Sequence, residues 1–169
     1  DEIKKTKEAQ KANENLIKSI EKDLPQDASV LTSKYGAIIE DGVITNYEEI
    51  YQKAQAKYNA AMDEVDAANN LAADLKFERD SMDEDADTTE IDARIEAAEK
   101  AGEDAKEAAD EAFEDFEEAV QTYEETYEQW QTALEKRAEL VRDEISLHLE
   151  KITAEVEVEI TISDYSIGI

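Results

Sequence analysis

Residues 51–82 read YQKAQAKYNAAMDEVDAANNLAADLKFERDSM, and within them Tyr51, Ala54, Tyr58, Ala61, Val65, Ala68, Ala72, Leu75, Arg79 and Met82 follow one another at steps of three or four. That spacing keeps one stripe of a helix turned toward a partner helix. Arg79 falls near the end of the stretch, where a long side chain can carry its charge out to water. A second stretch repeats the pattern through Ile91, Ile95, Ala98, Gly102, Ala105, Ala109, Ala112, Phe116, Ala119 or Val120, Tyr123, Tyr127, Trp130, Leu134, Val141, Ile145, Leu149 and Ile152. Between the two lies the acidic turn 83–87, Asp83-Glu84-Asp85-Ala86-Asp87. The chain is therefore expected to be mostly α, built on a long antiparallel helical hairpin, a coiled coil, over residues 47–152.

The two arms are unequal. The second, roughly 60 residues, would span about 90 Å at 1.5 Å per residue, and the first covers about half of it. Small residues from Ala97 to Ala112 permit close approach, whereas the aromatic half, Phe113 to Leu134, needs another cover. Either the first helix folds back on it or a second chain does.

Outside the hairpin, residues 1–24 read as an N-terminal helix with a short stripe of Leu16, Ile17 and Ile20. Pro25 is expected to end it, because its ring removes a backbone donor and disfavours helical geometry in the residue before it. Asp1 to Asn13 has almost no apolar stripe, so this part needs a partner. Residues 26–46 read as a loop and a β-hairpin over 37–45, with Asp41-Gly42 supplying the positive φ angles of its tight turn. Asn46-Tyr47-Glu48-Glu49 and Asp87-Thr88-Thr89-Glu90 each have the form of a capping box at a helix start. Residues 154–162, Ala-Glu-Val-Glu-Val-Glu-Ile-Thr-Ile, alternate strictly and read as a C-terminal strand that joins the 37–45 hairpin in a small sheet at the base of the stalk. Opening on Asp1 in mid-pattern and closing on Ile167-Gly168-Ile169, the chain reads as one fragment of a longer protein.

Composition narrows the function classes. Forty-six Asp and Glu against 18 Lys and Arg give a net charge of −28, a field that repels phosphate backbones and argues against direct nucleic-acid binding. Such acidity also accompanies disorder, but 41% of the residues are apolar and periodically placed, which favours a packed seam. With no cysteine there is neither a disulfide framework nor a thiolate metal site, and no stretch approaches the run of about 18 apolar residues of a membrane span.

Candidate chemistry is thin. The carboxylates Glu114, Asp115, Glu117 and Glu118 read as a solvated helix face, which offers no perturbing environment for acid–base work. Asp83, Asp85 and Asp87 imitate the first three ligand positions of a calcium loop. Thr88 and Arg94 stand where that loop needs a glycine and a bidentate glutamate, which leaves only loose divalent screening. His148 is the sole histidine and has no second ligand residue for a zinc site. No serine lies beside a base, and no glycine-rich phosphate loop exists. Phe113, Phe116, Tyr123, Tyr127, Trp130 and Leu134 are the candidate packing or interface residues, read as a seam and not as an exposed ligand site. No cofactor is expected, and the chain reads as a non-enzyme.

Three features in order resemble a segment of the tail tape measure proteins of long-tailed phages and prophages. One is the block from Tyr35 to Ile50, a small hairpin followed by Asn46-Tyr47 and a helix. The second is an acidic helical hairpin containing Tyr123-Glu124-Glu125-Thr126, and the third is Leu149-Glu150-Lys151-Ile152-Thr153 followed by alternating Val and Glu, similar to the strand that leaves such stalks. Together they cover most of the chain from about Ser33 onward. The resemblance implies a structural virion protein that occupies the tail tube, sets tail length and leaves ahead of the DNA, and no catalytic residues carry over. Its expected partners are copies of itself or other helices of the same protein, and tail tube proteins. The alternatives are an acidic coiled-coil scaffold or adaptor in the cytoplasm, acting by protein–protein interaction, and a stalk that responds to divalent cations.

Overall fold

The computed structural model describes residues 1–167, with side chains described through residue 162. Helix α1 spans Glu2–Tyr35, strands β1 and β2 span Ile39–Glu40 and Val43–Ile44, α2 spans Tyr47–Asp80 and α3 spans Thr89–Ile167. The fold is mostly helical, with long helices packed along their seams and one small antiparallel sheet. Contacts divide it into two units, Ala28–Thr122 and Asp1–Asp27 with Tyr123–Ile169.

In the first unit α2 and the start of α3 form the expected antiparallel hairpin. All ten stripe positions of α2 and its exit are buried or half-buried, from Tyr51 to Met82. Ala72, Leu75, Ile91, Ile95 and Ala98 form a core against which Met82 packs. Paired positions run in opposite order, with Arg79 on Asp92 at 3.3 Å, Lys76 on Glu99 at 2.9 Å and Tyr58 on Asp110 at 3.1 Å. Gly102 sits close against α2. A Cβ there would lie 3.0 Å from Asn69 Oδ1 and 3.5 Å from the Ala68 Cβ, so a larger side chain would have to displace the Asn69 amide.

The β-hairpin is also present, in the register Ile39↔Ile44 and Glu40↔Val43. Asp41 and Gly42 have φ of 50° and 80°, the pair of left-handed residues that a two-residue hairpin turn requires. The predicted capping box at Asn46 is not made. The Asn46 side chain makes no cap bond; its Oδ1 accepts from Ile38 N at 2.7 Å and its Nδ2 donates to Gly36 O at 3.0 Å. Two backbone groups at the hairpin base compete for the amide and win it, tying the hairpin to the start of α2. At the start of α3 the cap is shifted by one residue. The helix begins at Thr89, so Glu90 lies one position too early to reach back, and Asp87 Oδ1 instead accepts from the Thr89 amide at 3.0 Å and its hydroxyl at 2.6 Å.

In the second unit α1 lies antiparallel on the later part of α3. Ile17, Ile20 and Ala133 are its core, with Trp130 and Leu134 packed against them. The polar start of α1 is held by amides, not by a stripe. Asn13 Nδ2 donates to Ala133 O at 2.9 Å, Gln10 Nε2 donates to Leu140 O at 3.2 Å, and Lys7 reaches Glu144 at 3.9 Å.

Three expectations need correction here. Pro25 does not end the first helix at residue 24, since α1 continues through it to Tyr35. The helix buries Ile17 and Ile20 before the proline and Leu31 beyond it, and packing on both sides outweighs one missing hydrogen bond while the ring faces solvent. Past Trp130 the seam of α3 also departs from Val141, Ile145, Leu149 and Ile152, all exposed, and follows Ala133 and Leu140. Docking of α1 selects that frame. Finally, residues 154–162 are not a strand but part of α3, and the sheet has two strands only. Adding residues to an existing helix gains one hydrogen bond each without the cost of a new nucleus. Thr161 accordingly donates its hydroxyl to the Glu157 carbonyl at 2.9 Å, a bond within the helix.

A proline inside a helix costs about 3 kcal/mol relative to alanine, of which the stiffened unfolded chain returns about 0.5–1 kcal/mol. Pro25→Ala is therefore expected to stabilise the protein by about 2 kcal/mol. Urea unfolding would show this as a higher midpoint at unchanged slope; a lower midpoint would mean the ring makes packing contacts that outweigh the bond.

Candidate functional site

The candidate residues all lie on α3, and the structure gathers them into two clusters, one in each unit. In Ala28–Thr122, Phe116 is fully buried, with Tyr35 packed edge-on at 5.1 Å between ring centroids. Phe113 stands 6.3 Å from Phe116 and receives Tyr51 at 5.9 Å and Tyr58 at 5.7 Å from α2. The Tyr35–Phe116 and Tyr51–Phe113 pairs are edge-to-face, which brings the electropositive rim of one ring onto the negative face of the other. Tyr51 and Tyr58 were legible as seam positions, but Tyr35 was not, because it lies beyond Pro25, where the sequence reading places a loop.

Gly36, with φ of 73°, turns the chain immediately after Tyr35, and the Ala37 amide returns to the Leu31 carbonyl at 3.0 Å. This closes the end of α1 and fixes Tyr35 against Phe116. The Tyr58 hydroxyl donates to Asp110 Oδ1 at 3.1 Å. That hydrogen bond, the negative charge behind it and burial together raise the Tyr58 phenol above its ordinary value.

In the other unit, Tyr123 is buried, stacks on Tyr127 at 6.3 Å, and Tyr127 contacts Trp130 at 5.7 Å. Burial, then the neighbouring Tyr127, raises the Tyr123 phenol. The Trp130 indole N–H donates to Glu21 Oε1 at 3.3 Å, and Thr126 donates its hydroxyl to Asp27 Oδ2 at 2.9 Å. Leu134 is half-buried against Ile17 and Ile20. Of the two covers open for the aromatic half, α1 of the same chain is the one found for Tyr123 to Leu134. Asn13 and Gln10 were missed as seam residues, although Asn13 lies four residues before Ile17 and Gln10 seven before it, spacings that continue that stripe.

The remaining candidates lie outside these ring contacts. In the acidic turn Asp87 is bound by Thr89, and the bonds from the Thr89 hydroxyl and amide hold its carboxyl below the usual range. Asp92 is shared by Arg79 and Thr88. Among the described residues no group of three or more His, Cys, Asp or Glu is placed to hold a metal. His148 is half-exposed, 3.9 Å from Glu144 on the same helix. Glu114, Asp115, Glu117 and Glu118 are exposed.

A groove of about 460 Å³ runs beside the α1–α3 seam, lined by Leu16, Ile20, Glu128, Thr132, Ala133 and Lys136 among others. The one buried polar side chain on it, Asn13, already spends its amide on Ala133, and no buried side-chain donor or acceptor among the described residues lacks a partner. No helix among them is long and apolar enough to cross a membrane. Compared with known proteins, the chain matches no family model, no curated protein and no solved structure.

Two outcomes are expected from these contacts. A raised phenol pKa means the Tyr58–Asp110 bond stabilises fully below the ordinary value of 10.0 and is lost as pH rises through the higher folded value. In an NMR titration of the tyrosine ring carbons, Asp110→Ala should bring the Tyr58 midpoint back down toward the ordinary value, and an unmoved midpoint would discount the contact. Trp130→Ala should lower stability by about 2 kcal/mol, less than for a fully buried tryptophan, with Trp130→Phe intermediate. Sedimentation should show unchanged mass for both variants, since the indole packs within the chain; dissociation of an oligomer would place it at a chain-to-chain contact instead.

Proposed function

We propose that this chain is a non-enzymatic structural element that works by holding long helices in fixed register. One observation carries the reading: burial follows the helix seams, while acidic and histidine side chains are exposed or engaged in bonds that join or cap helices. Residues suited to packing are concentrated at the seams, and most of those suited to chemistry are spread over solvated faces.

Within that class we propose a segment of a phage tail tape measure protein, located in the virion. The resemblance that supports it is now narrower. The block of small hairpin, Asn46-Tyr47 and helix keeps its form, and an acidic helical hairpin is present, but Tyr123 to Thr126 lie outside it, in the unit where α1 covers α3. The third feature, a strand leaving the stalk, does not keep its form, because residues 154–162 are helical. The net charge of −28 is compatible with the role, since a chain that must leave a tube ahead of DNA benefits from not binding phosphate.

In a phage carrying this gene, in-frame excision of the segment is expected to shorten the tails seen by electron microscopy. Its gene is expected beside those for tail tube and baseplate proteins. Tails of normal length, or neighbours with no role in a virion, would remove the tape measure reading and leave an acidic scaffold acting elsewhere.

A further inference from the structure

Beyond Glu144, α3 carries Ile145, Leu149, Ile152, Val156 and Ile160, each between 47% and 58% exposed. Their steps of four, three, four and four keep them on one side of the helix. That side is not the one α1 covers, because Leu140, buried and bound through its carbonyl to Gln10, lies roughly 140° round the axis from Ile145. Aliphatic side chains in this order form the core of a two-stranded coiled coil, with Leu149 and Val156 at one core position and Ile145 and Ile152 at the other.

The ends of the stripe say which strand would cover it. One repeat before Leu149 the same core position is Arg142, and one repeat after Ile152 the other is Glu159. Both are exposed, and among the described residues Arg142 enters no ion pair. Laid parallel on a second copy, Arg142 would face Arg142 and Glu159 would face Glu159. Laid antiparallel and centred between Leu149 and Ile152, the layers become Arg142 on Glu159, Ile145 on Val156 and Leu149 on Ile152, and then the same pairs reversed. A charged pair at a core position is a means of fixing register and direction. We propose that residues 142–159 of α3 are a self-association surface, and that its occupant is the same stretch of a second copy, antiparallel and in this register. The inference holds whether or not the chain is a tail component.

The absence of cysteine makes the register directly readable. Full chains carrying Arg142→Cys and Glu159→Cys, mixed and mildly oxidised, should give predominantly the mixed disulfide dimer. Predominance of like-with-like disulfides would show a parallel pair and overturn the proposal. By sedimentation the unaltered chain should dimerise reversibly with concentration, Arg142→Glu should weaken that at least tenfold, and the double exchange Arg142→Glu with Glu159→Arg should restore it. Both sites are exposed, so circular dichroism should show unchanged helix content in each variant. An unaltered chain that stays monomeric up to millimolar concentration, or a double exchange that dimerises no better than the single one, would refute it.

Discussion

The apolar stripe of α3 is longer than either of the other helices, and covering it is the constraint on which the remaining structure rests. Both α1 and α2 are 34 residues long, whereas α3 has 79. A helix of that length gains little from its own hydrogen bonds unless its stripe is buried. In one unit α2 does this with a seam of alternating small and branched residues, closed by Ile91, Ile95 and Ala98. In the other α1 does it with fewer apolar side chains, and amides from Asn13 and Gln10 grip α3 carbonyls where the apolar side chains run out. Such bonds each contribute about 1 kcal/mol, and they specify position more sharply than another alanine would.

How much of this was legible depends on whether a local pattern had one partner or two to choose from. The α2 seam was read residue by residue, because its steps of three and four admit one face and the adjacent hairpin arm supplies the match. The Asp41-Gly42 turn was equally plain, since few residue pairs adopt those angles. Pro25 misled because a local penalty of a few kcal/mol is small beside the packing on either side of it. The alternation from Ala154 to Ile162 misled because a period of two is a preference that a helix already growing through the segment overrides. Near Asn46 and Asp87 the right residue types stood at the right places, but Asn46 bonds to Ile38 and Gly36 at the hairpin base, and Asp87 bonds to Thr89, one position before the expected donor.

The candidate side chains tell a similar story. Phe116 could be assigned to a seam from spacing alone, and Tyr123, Tyr127 and Trp130 likewise, whereas the stripe ran through Ala112, which is exposed, and the half-buried residue is Phe113 beside it. The separate surroundings of these rings could not be assigned, since those depend on where α1 ends and which way it folds back. Tyr35, at the far side of a proline, enters the Phe116 cluster only because α1 continues. The exposure of Glu114, Asp115, Glu117 and Glu118 is what the same periodicity had already implied.

Trp130 has one more consequence. It is the sole tryptophan of the chain, and it lies at the contact of α1 with α3, with its N–H on Glu21. The unit Ala28–Thr122 contains tyrosine and phenylalanine only as aromatic residues. Indole emission shifts toward longer wavelength when the ring meets water, so its colour follows the attachment of α1, while far-ultraviolet ellipticity follows helix content throughout. A chain whose two units open at different denaturant concentrations would show these two signals parting company, and one that opens as a whole would show them superimposed. The molecule thus carries its own optical gauge of cooperativity, without a label.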